Sequence, residues 1–398
     1  MLRVIMSVAL LSVALMLAPT VSPPPADAAN AIKICMPGAL TGPAGVYGIN
    51  HQRAALMAIE EINAKGGIQG AKLELIVRDD EADPTKAVTV VRELAEKLDC
   101  AVLIGYTSSN AGLALVRPIH ELKIPFFNFG AVGTAIVENG RKPNYIFRYS
   151  PSDREQARFV VDWLVTKRNM KKIGILYENT GHGEGGRADA AAHLKEKFGL
   201  GFAGQEYFNR GDTDFTPQLS RIRAAGAEAL AYWAPSADAA HAVRSMDKMG
   251  WKVPFVGNWG LGAPDLPRLA GPLANGIFVP QDFLFSEQEG AKGERKREIL
   301  RKYEAQYKET IVNPSPFAQT LDGMYIIAKV LSGIPDAANM SLAKLRDRFR
   351  DDLENFDEYD GLVAHIKKPF TPDQHEAITY KQLFMTSWQD GKLVRVKE

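Results

Sequence analysis

Beyond its first residues the sequence has no long apolar run, which excludes a helical membrane span, since that needs roughly 20 consecutive apolar residues. Cysteine is nearly absent, with 2 residues in 398, too few for a disulfide scaffold or a four-thiolate metal site. Neither sign of charge is in excess: 48 Lys and Arg face 47 Asp and Glu, a formal net charge of +1. That balance argues against nucleic acid or a strongly anionic surface as the main partner. The usual marks of hydrolytic chemistry are missing as well. No Gly-x-Ser-x-Gly elbow occurs, and the 7 histidines show no His-Glu-x-x-His spacing. His51, His120, His193 and His241 fall on helical patterns and His365 and His375 in the tail, where they read as surface or satisfied structural groups. No metal, cofactor or enzymatic activity is expected.

What is present starts with Met1-Leu2-Arg3, then the apolar run Val4 to Ala18, broken by Pro19 and Pro23-Pro24-Pro25. Together with the small residues of Ala26-Asp27-Ala28 this is a secretory signal layout over 1–29, with cleavage expected near Ala28 and a periplasmic product. No Cys stands beside that point, so a lipid anchor is not expected. In an oxidising compartment Cys35 and Cys100, each in an apolar strand-like run, form either a disulfide or two buried thiols.

From Ile32 onward short β-branched runs alternate with amphipathic ones: strands at 32–37, 72–78, 101–105 and 124–128, helices at 48–64, 85–98 and 110–121. After a linker around Phe147 to Asp153 the series repeats, with helices at 153–168, 186–198, 215–225 and 237–249 and strands at 172–177, 202–208, 228–233 and 254–257. Alternation of this kind specifies parallel sheets covered on both faces. The roughly 370 residues beyond the signal exceed the size at which a single core stops growing, so two α/β lobes are expected. A strand at 276–280 and helices near 288–309, 316–333 and 341–353 follow, then a strand-rich tail with a turn at Asp390-Gly391. The expected division is 30–150 plus 281–355 for the N-terminal lobe and 151–280 plus 356–398 for the C-terminal lobe. Several crossings between lobes make a hinge, and a hinge makes a cleft.

Ligands of open parallel sheets lie beyond the carboxyl ends of the strands. Six loops there are the candidate site: Gly38 to Gly48, Gly105 to Asn110, Phe129 to Thr134, Glu178 to Gly186, Ala234 to Asp238 and Asn258 to Gly262. Tyr47, flanked by Gly45 and Gly48, projects into the cleft or caps the core. Ser108 and Ser109, with Thr107 before them, open a helix; their hydroxyls and the helix N–H groups cap it or hold a carboxylate.

Four segments in this order resemble the branched-chain amino acid binding proteins of ABC transporters, the type I periplasmic binding fold. They are Leu40 to Gly48, Glu61 to Ile68, Asp79 to Pro84, and Gly211 to Phe215. The resemblance implies two doubly wound lobes that close on a ligand, a Ser108 that holds its carboxylate, and permease subunits in the inner membrane as partners of a monomer. Two positions depart from it. Gly130-Ala131-Val132 has Val132 where a hydroxyl is expected, and Gly257-Asn258-Trp259-Gly260 lacks the acid that pairs with an α-amino group. A buried ammonium without a carboxylate costs several kcal/mol. With His182 where the family often has Tyr, and Trp233, Pro235, Trp259 and Phe283 at strand ends, the expected ligand is a hydrophobic, aromatic carboxylate. Trp233 is equally readable as lobe core. The alternatives are a branched-chain amino acid or amide, a sensory rather than transport role, and an NAD-dependent oxidoreductase. The last rests on Gly181-x-Gly183-x-x-Gly186, which begins three residues too late after its strand to be a dinucleotide turn. Asp79, Asp80, Glu81 and Asp83 lack cation-loop spacing and read as a solvated loop, with Asp83-Pro84 opening a helix.

Overall fold

The computed structural model describes residues 31–42, 44–106 and 108–397. The signal layout and Thr107 lie outside them. The first lobe runs β1 (Ile32–Gly38), α1 (Gly45–Ala64), β2 (Leu73–Asp79), α2 (Pro84–Glu96), β3 (Val102–Gly105), α3 (Ser109–Glu121), β4 (Phe126–Asn128), α4 (Thr134–Val137) and β5 (Ile146–Arg148). Its parallel sheet has the order β2-β1-β3-β4-β5. Strand order reverses between β1 and β3, so the crevice rule points to the loops after those two strands. β5 falls where the sequence reads as a linker; three residues ending in an arginine are too short to show a period.

The second lobe runs α5 (Asp153–Asp162), β6 (Ile173–Glu178), α6 (Gly181–Phe198), β7 (Gly204–Phe208), α7 (Thr216–Ala224), β8 (Ala229–Trp233), α8 (Ser236–Lys248), β9 (Phe255–Gly257), α9 (Asp265–Ala270) and β10 (Phe278–Gln281). Three long helices follow, α10 (Gly290–Tyr307), α11 (Pro314–Gly333) and α12 (Leu342–Glu354), then β11 (Glu358–Asp360), β12 (His365–Lys367), β13 (Phe384–Gln389) and β14 (Lys392–Arg395). The second sheet has the order β14-β13-β10-β9-β8-β6-β7, with β13 and β14 antiparallel. Its reversal lies between β6 and β8, which marks the loops carrying His182 and Pro235.

α11 is buried along most of its length: Phe317, Leu321, Met324 and Ile327 share one core with Met36, Ala54, Ala58 and Phe127 of the first lobe. That core also takes Phe356, Ile366, Phe370 and Ile378. The expected division, which gave all of 356–398 to the second lobe, is therefore corrected: residues 356–378 pack on the first, and only β13 and β14 join the second sheet. Alternating apolar residues announce a strand-like tail without saying which sheet receives it. The chain thus passes between lobes near 149–153, 282–289 and 379–383.

Between the two readings of the cysteines the structure chooses the bridge. Strand β1 and the residues that lead into its neighbour β3 set Cys35 and Cys100 with Cα atoms 5.8 Å apart, and the two form a disulfide buried under α2. It closes a loop with a sequence separation of 65, and a cross-link of that span stabilises by about 2–4 kcal/mol, mainly by restricting the unfolded chain. The double variant Cys35→Ser/Cys100→Ser is expected to lose that amount in urea denaturation. An unchanged midpoint would show that the bridge does not hold the sheet.

Candidate functional site

The loop ends of the two sheets face each other. α3 starts with Ser108 at its N-cap, where Oγ accepts from Ala111 N at 3.3 Å. The next residue does different work. Ser109 is buried, and its Oγ accepts from both Val132 N and Gly133 N at 3.1 Å. Asn128 Oδ1 takes Gly130 N at 3.0 Å and Ala131 N at 2.9 Å. On the other side of the loop the fully buried Arg148 donates to Ala131 O and Gly133 O, both at 2.9 Å. The loop from Gly130 to Gly133 is therefore held by its own scaffold on both its N–H and C=O sides.

Several bonds join the lobes. Tyr47 is half-buried and donates from its hydroxyl to Asp265 Oδ2 at 3.0 Å, so it lies at the cleft rather than capping the core. Thr134 Oγ1 donates to Asp189 Oδ2 at 2.6 Å, and His182 N donates to Asn110 Oδ1 at 3.3 Å. α6 approaches α3 this closely because Gly181 has no side chain; a methyl there would lie 2.9 Å from Leu113. Gly183 packs on the end of β6, and Gly186 lies under Trp233, where a methyl would fall 1.9 Å from its Nε1. Close packing thus accounts for all three glycines of the would-be dinucleotide motif.

His182 sits between the lobes with Nδ1 3.1 Å from Asp153 Oδ2 and Nε2 3.3 Å from Asn258 Nδ2. Burial pulls its pKa down, but the Asp153 carboxylate outweighs that and holds it above the usual value. In the neutral ring the proton lies on Nδ1 and Nε2 accepts from Asn258. Asn258 also donates to Ala234 O at 3.2 Å, while its Oδ1 is buried without a partner.

The aromatic residues expected at the cleft do other work. Trp233 is fully buried and donates from Nε1 to Asp153 Oδ1 at 2.8 Å, so it is lobe core that supports His182 through Asp153. Trp259 is 7% exposed; its amide donates to Gln156 Oε1 at 2.8 Å and its indole to Asp282 Oδ1 at 3.1 Å and Ser315 Oγ at 3.3 Å. It is a rivet between second lobe, hinge and α11. Phe283 lies in the first-lobe core against Phe285, with Lys296 over its ring. Pro235 is exposed at the start of α8. Of its two readings Trp233 takes lobe core, Trp259 and Phe283 act as supports and Pro235 stands on the rim, because sequence places a strand end but not the direction in which its ring points.

Sequence reading missed four groups. His51 is buried with one ring nitrogen unpartnered, neither surface nor satisfied. Asp282 is buried on the hinge, its carboxyl pushed up by burial and held by Ser315, Gln319 and Trp259. Asp80 is buried too, accepting from Tyr106 OH, and Asp79 accepts from Leu40 N at 2.9 Å, so this turn braces the first loop rather than being wholly solvated. Asp83 caps α2 as expected. Among the described residues no three His, Cys, Asp or Glu side chains come together as a metal-holding group, and no helix is long and apolar enough to cross a membrane.

The family description "Periplasmic binding protein" matches residues 31–392. The chain belongs to that family. A relative from Pseudomonas aeruginosa named leucine-, isoleucine-, valine-, threonine-, and alanine-binding protein is 28% identical over 252 residues, 63% of this chain and 66% of its own. A Leu/Ile/Val-binding protein homolog from Brucella abortus is 26% identical over 89% of this chain and 88% of its own. The chain spans just under two thirds of the length of the first of these. Among solved structures, a type 1 periplasmic binding protein from Bordetella pertussis superposes with a TM-score of 0.80 at 23% identity, over 92% of this chain and all of the other. A branched-chain amino acid transporter substrate binding protein from Streptococcus pneumoniae, in complex with isoleucine, gives 0.77 at 21% identity over 91% and 97%. At such identities these structures establish the fold: two doubly wound lobes about a hinge.

Within this periplasmic binding protein the Gly130 loop depends on Arg148, whose guanidinium also grips Glu376 with two nitrogens. Removing one member of a buried ion pair strands the other, at a cost of about 3–5 kcal/mol. Arg148→Met is expected to lose that much stability in urea denaturation, and Arg148→Met/Glu376→Leu to regain most of it. A double variant as weak as the single one would place the loss elsewhere.

Proposed function

We propose that this chain is the exported solute-binding component of an ABC uptake transporter, and that it takes a small hydrophobic carboxylate lacking an α-ammonium group. No chemistry is assigned to it: the ligand bridges the lobes, contacts made only in the closed form favour closure, and the permease reads the closed surface. Support for the carboxylate end comes from Ser108 at the N-terminus of α3, where free helix N–H groups and the dipole favour an anion. Export rests on the signal layout of residues 1–29.

One observation carries the choice of ligand. At the position where the resemblance expects an acid stands Trp259, whose indole is spent on Asp282 and Ser315, and the neutral Asn258 before it is buried beside His182 with its oxygen free. A neutral acceptor there suits a neutral group. An aromatic body loses its two expected walls, since Trp233 and Trp259 are both engaged elsewhere, so an aliphatic body is supported as well as a flat ring. The second reading, a branched-chain amino acid, is favoured by the relatives' names and by the buried Asp282 carboxylate next to Trp259.

Titration calorimetry on unfolded and refolded, ligand-free protein separates the two. Short branched carboxylates and benzoate-type acids are expected to bind about tenfold or more tightly than leucine, which corresponds to about 1.4 kcal/mol. Leucine binding tighter than every acid tried would overturn the choice of ligand while leaving the binding role standing.

A further inference from the structure

His51 lies on α1 four residues after Tyr47, so the two side chains share one face of the helix. Tyr47 reaches across the cleft to Asp265. His51, one turn behind it, is 2% exposed and reaches the place where two binding loops meet. A methyl group at Gly130 would lie 3.1 Å from His51 Nε2 and 2.4 Å from Tyr106 O. Gly130 belongs to the loop after β4; Tyr106 stands two residues before Ser108.

The ring's protonation follows from its partners. Thr320 gives its hydroxyl proton to Pro316 O at 2.8 Å, so its oxygen is left to accept from His51 Nδ1 at 2.6 Å. One imidazole proton is therefore on Nδ1. Burial pulls the pKa down to about 4, and the ring takes no second proton at neutral pH. Nε2 is a lone pair, buried and without a donor. Buried acceptors of this kind call for a partner, and one that the scaffold leaves open beside a binding loop is a place for a ligand atom.

The second lobe repeats the arrangement. While His182 is neutral, the two bonds from Asn258 Nδ2 to Ala234 O and His182 Nε2 fix that amide, and its free oxygen is an acceptor as well. Turning the amide would set oxygen against the Ala234 carbonyl. With His182 neutral, each lobe offers one acceptor of fixed direction.

We propose that the ligand carries, besides its carboxylate, a neutral hydrogen-bond donor, a hydroxyl or an amide N–H, which seats on His51 Nε2, and that His51 is a specificity-determining residue of this cleft. The inference rests on the proposed binding of a small hydrophobic carboxylate there. A neutral donor satisfies the buried acceptor without bringing an unpaired charge into the site.

The test compares two acids that share one body, 4-methylpentanoate and 2-hydroxy-4-methylpentanoate, by titration calorimetry on refolded protein. The hydroxy acid is expected to bind about tenfold tighter, the scale of one well-made hydrogen bond to a desolvated acceptor. In His51→Leu that gap is expected to close to about twofold or less, while His51→Gln, which keeps an acceptor, retains part of it. A measurement on the unaltered chain covers the case in which the leucine variant does not fold: the 15N resonance of His51 Nε2 should move with the hydroxy acid and not with the plain one. Equal affinities for the two acids overturn this inference alone. Failure of both to bind overturns it together with the reading beneath it. A gap that survives in His51→Leu, or an Nε2 resonance indifferent to the hydroxy acid, removes His51 from the role.

Discussion

The geometry of the cleft depends on one buried cation. Arg148 closes β5, the last strand before the first crossing, and its guanidinium has no exposure at all. Two nitrogens engage Glu376 and the third holds the carbonyls of Ala131 and Gly133. Its backbone is paired as well, with N donating to His375 O and O accepting from Ala377 N, both at 2.9 Å. A single side chain therefore ties the strand entering the hinge, the segment that returns toward it, and the loop beside the ligand position. Burial pushes the Glu376 carboxyl up while Arg148 opposes this. Such a pair adds little net stability over an apolar substitute, yet its bidentate fork allows one arrangement only. Its value here is positional: it fixes which way the Gly130 loop faces.

The loop's amides are taken up by Asn128 and Ser109, its carbonyls by Arg148, and this changes what the loop can do for a ligand. Backbone groups already satisfied by the scaffold form a rigid wall rather than a set of free donors. Anion recognition then falls to the start of α3, where Ser108 caps only one N–H. The first lobe brings to the cleft a helix end that favours negative charge and a lone pair on His51. The second brings the His182–Asp153 pair and the free oxygen of Asn258. A ligand with an acidic end and a neutral donor matches both sets without stranding a charge.

Most of the architecture was legible because it rests on periodicity. Alternating β-branched and amphipathic runs, Gly at close approaches and Asp83-Pro84 at a helix start are local signals, and the strands and helices they announce are present. The loops holding Tyr47, Ser108, Gly130, His182 and Asn258 could be named in advance, since parallel sheets gather their functional loops at one end. What was not legible is direction and distance. Trp233 and Trp259 stand at strand ends as expected, but whether an indole turns to the cleft or to Asp153 and Asp282 depends on residues 80 and 23 positions away. His51 was hidden for the same reason: on the buried face of α1, nothing local distinguishes a satisfied imidazole from one whose second nitrogen is left open. The tail from Phe356 has strand-like alternation, yet only packing against α11 decides that its first half belongs to the first lobe.

The lobe contacts also bear on how binding could be coupled to closure. Tyr47 to Asp265, Thr134 to Asp189 and His182 N to Asn110 all join the two lobes directly and need no ligand. Polar contacts of this exposed or half-buried kind are each worth about 1 kcal/mol or less in net stability, because opening returns the same groups to water. They can bring the lobes together without holding them. The buried acceptors differ, since His51 Nε2 and Asn258 Oδ1 are shielded from water and have no donor from the protein. A ligand that brings a matching donor removes that cost, and one without it does not. A cleft built from weak rim contacts and unsatisfied inner acceptors makes its closed population depend on the ligand's chemistry.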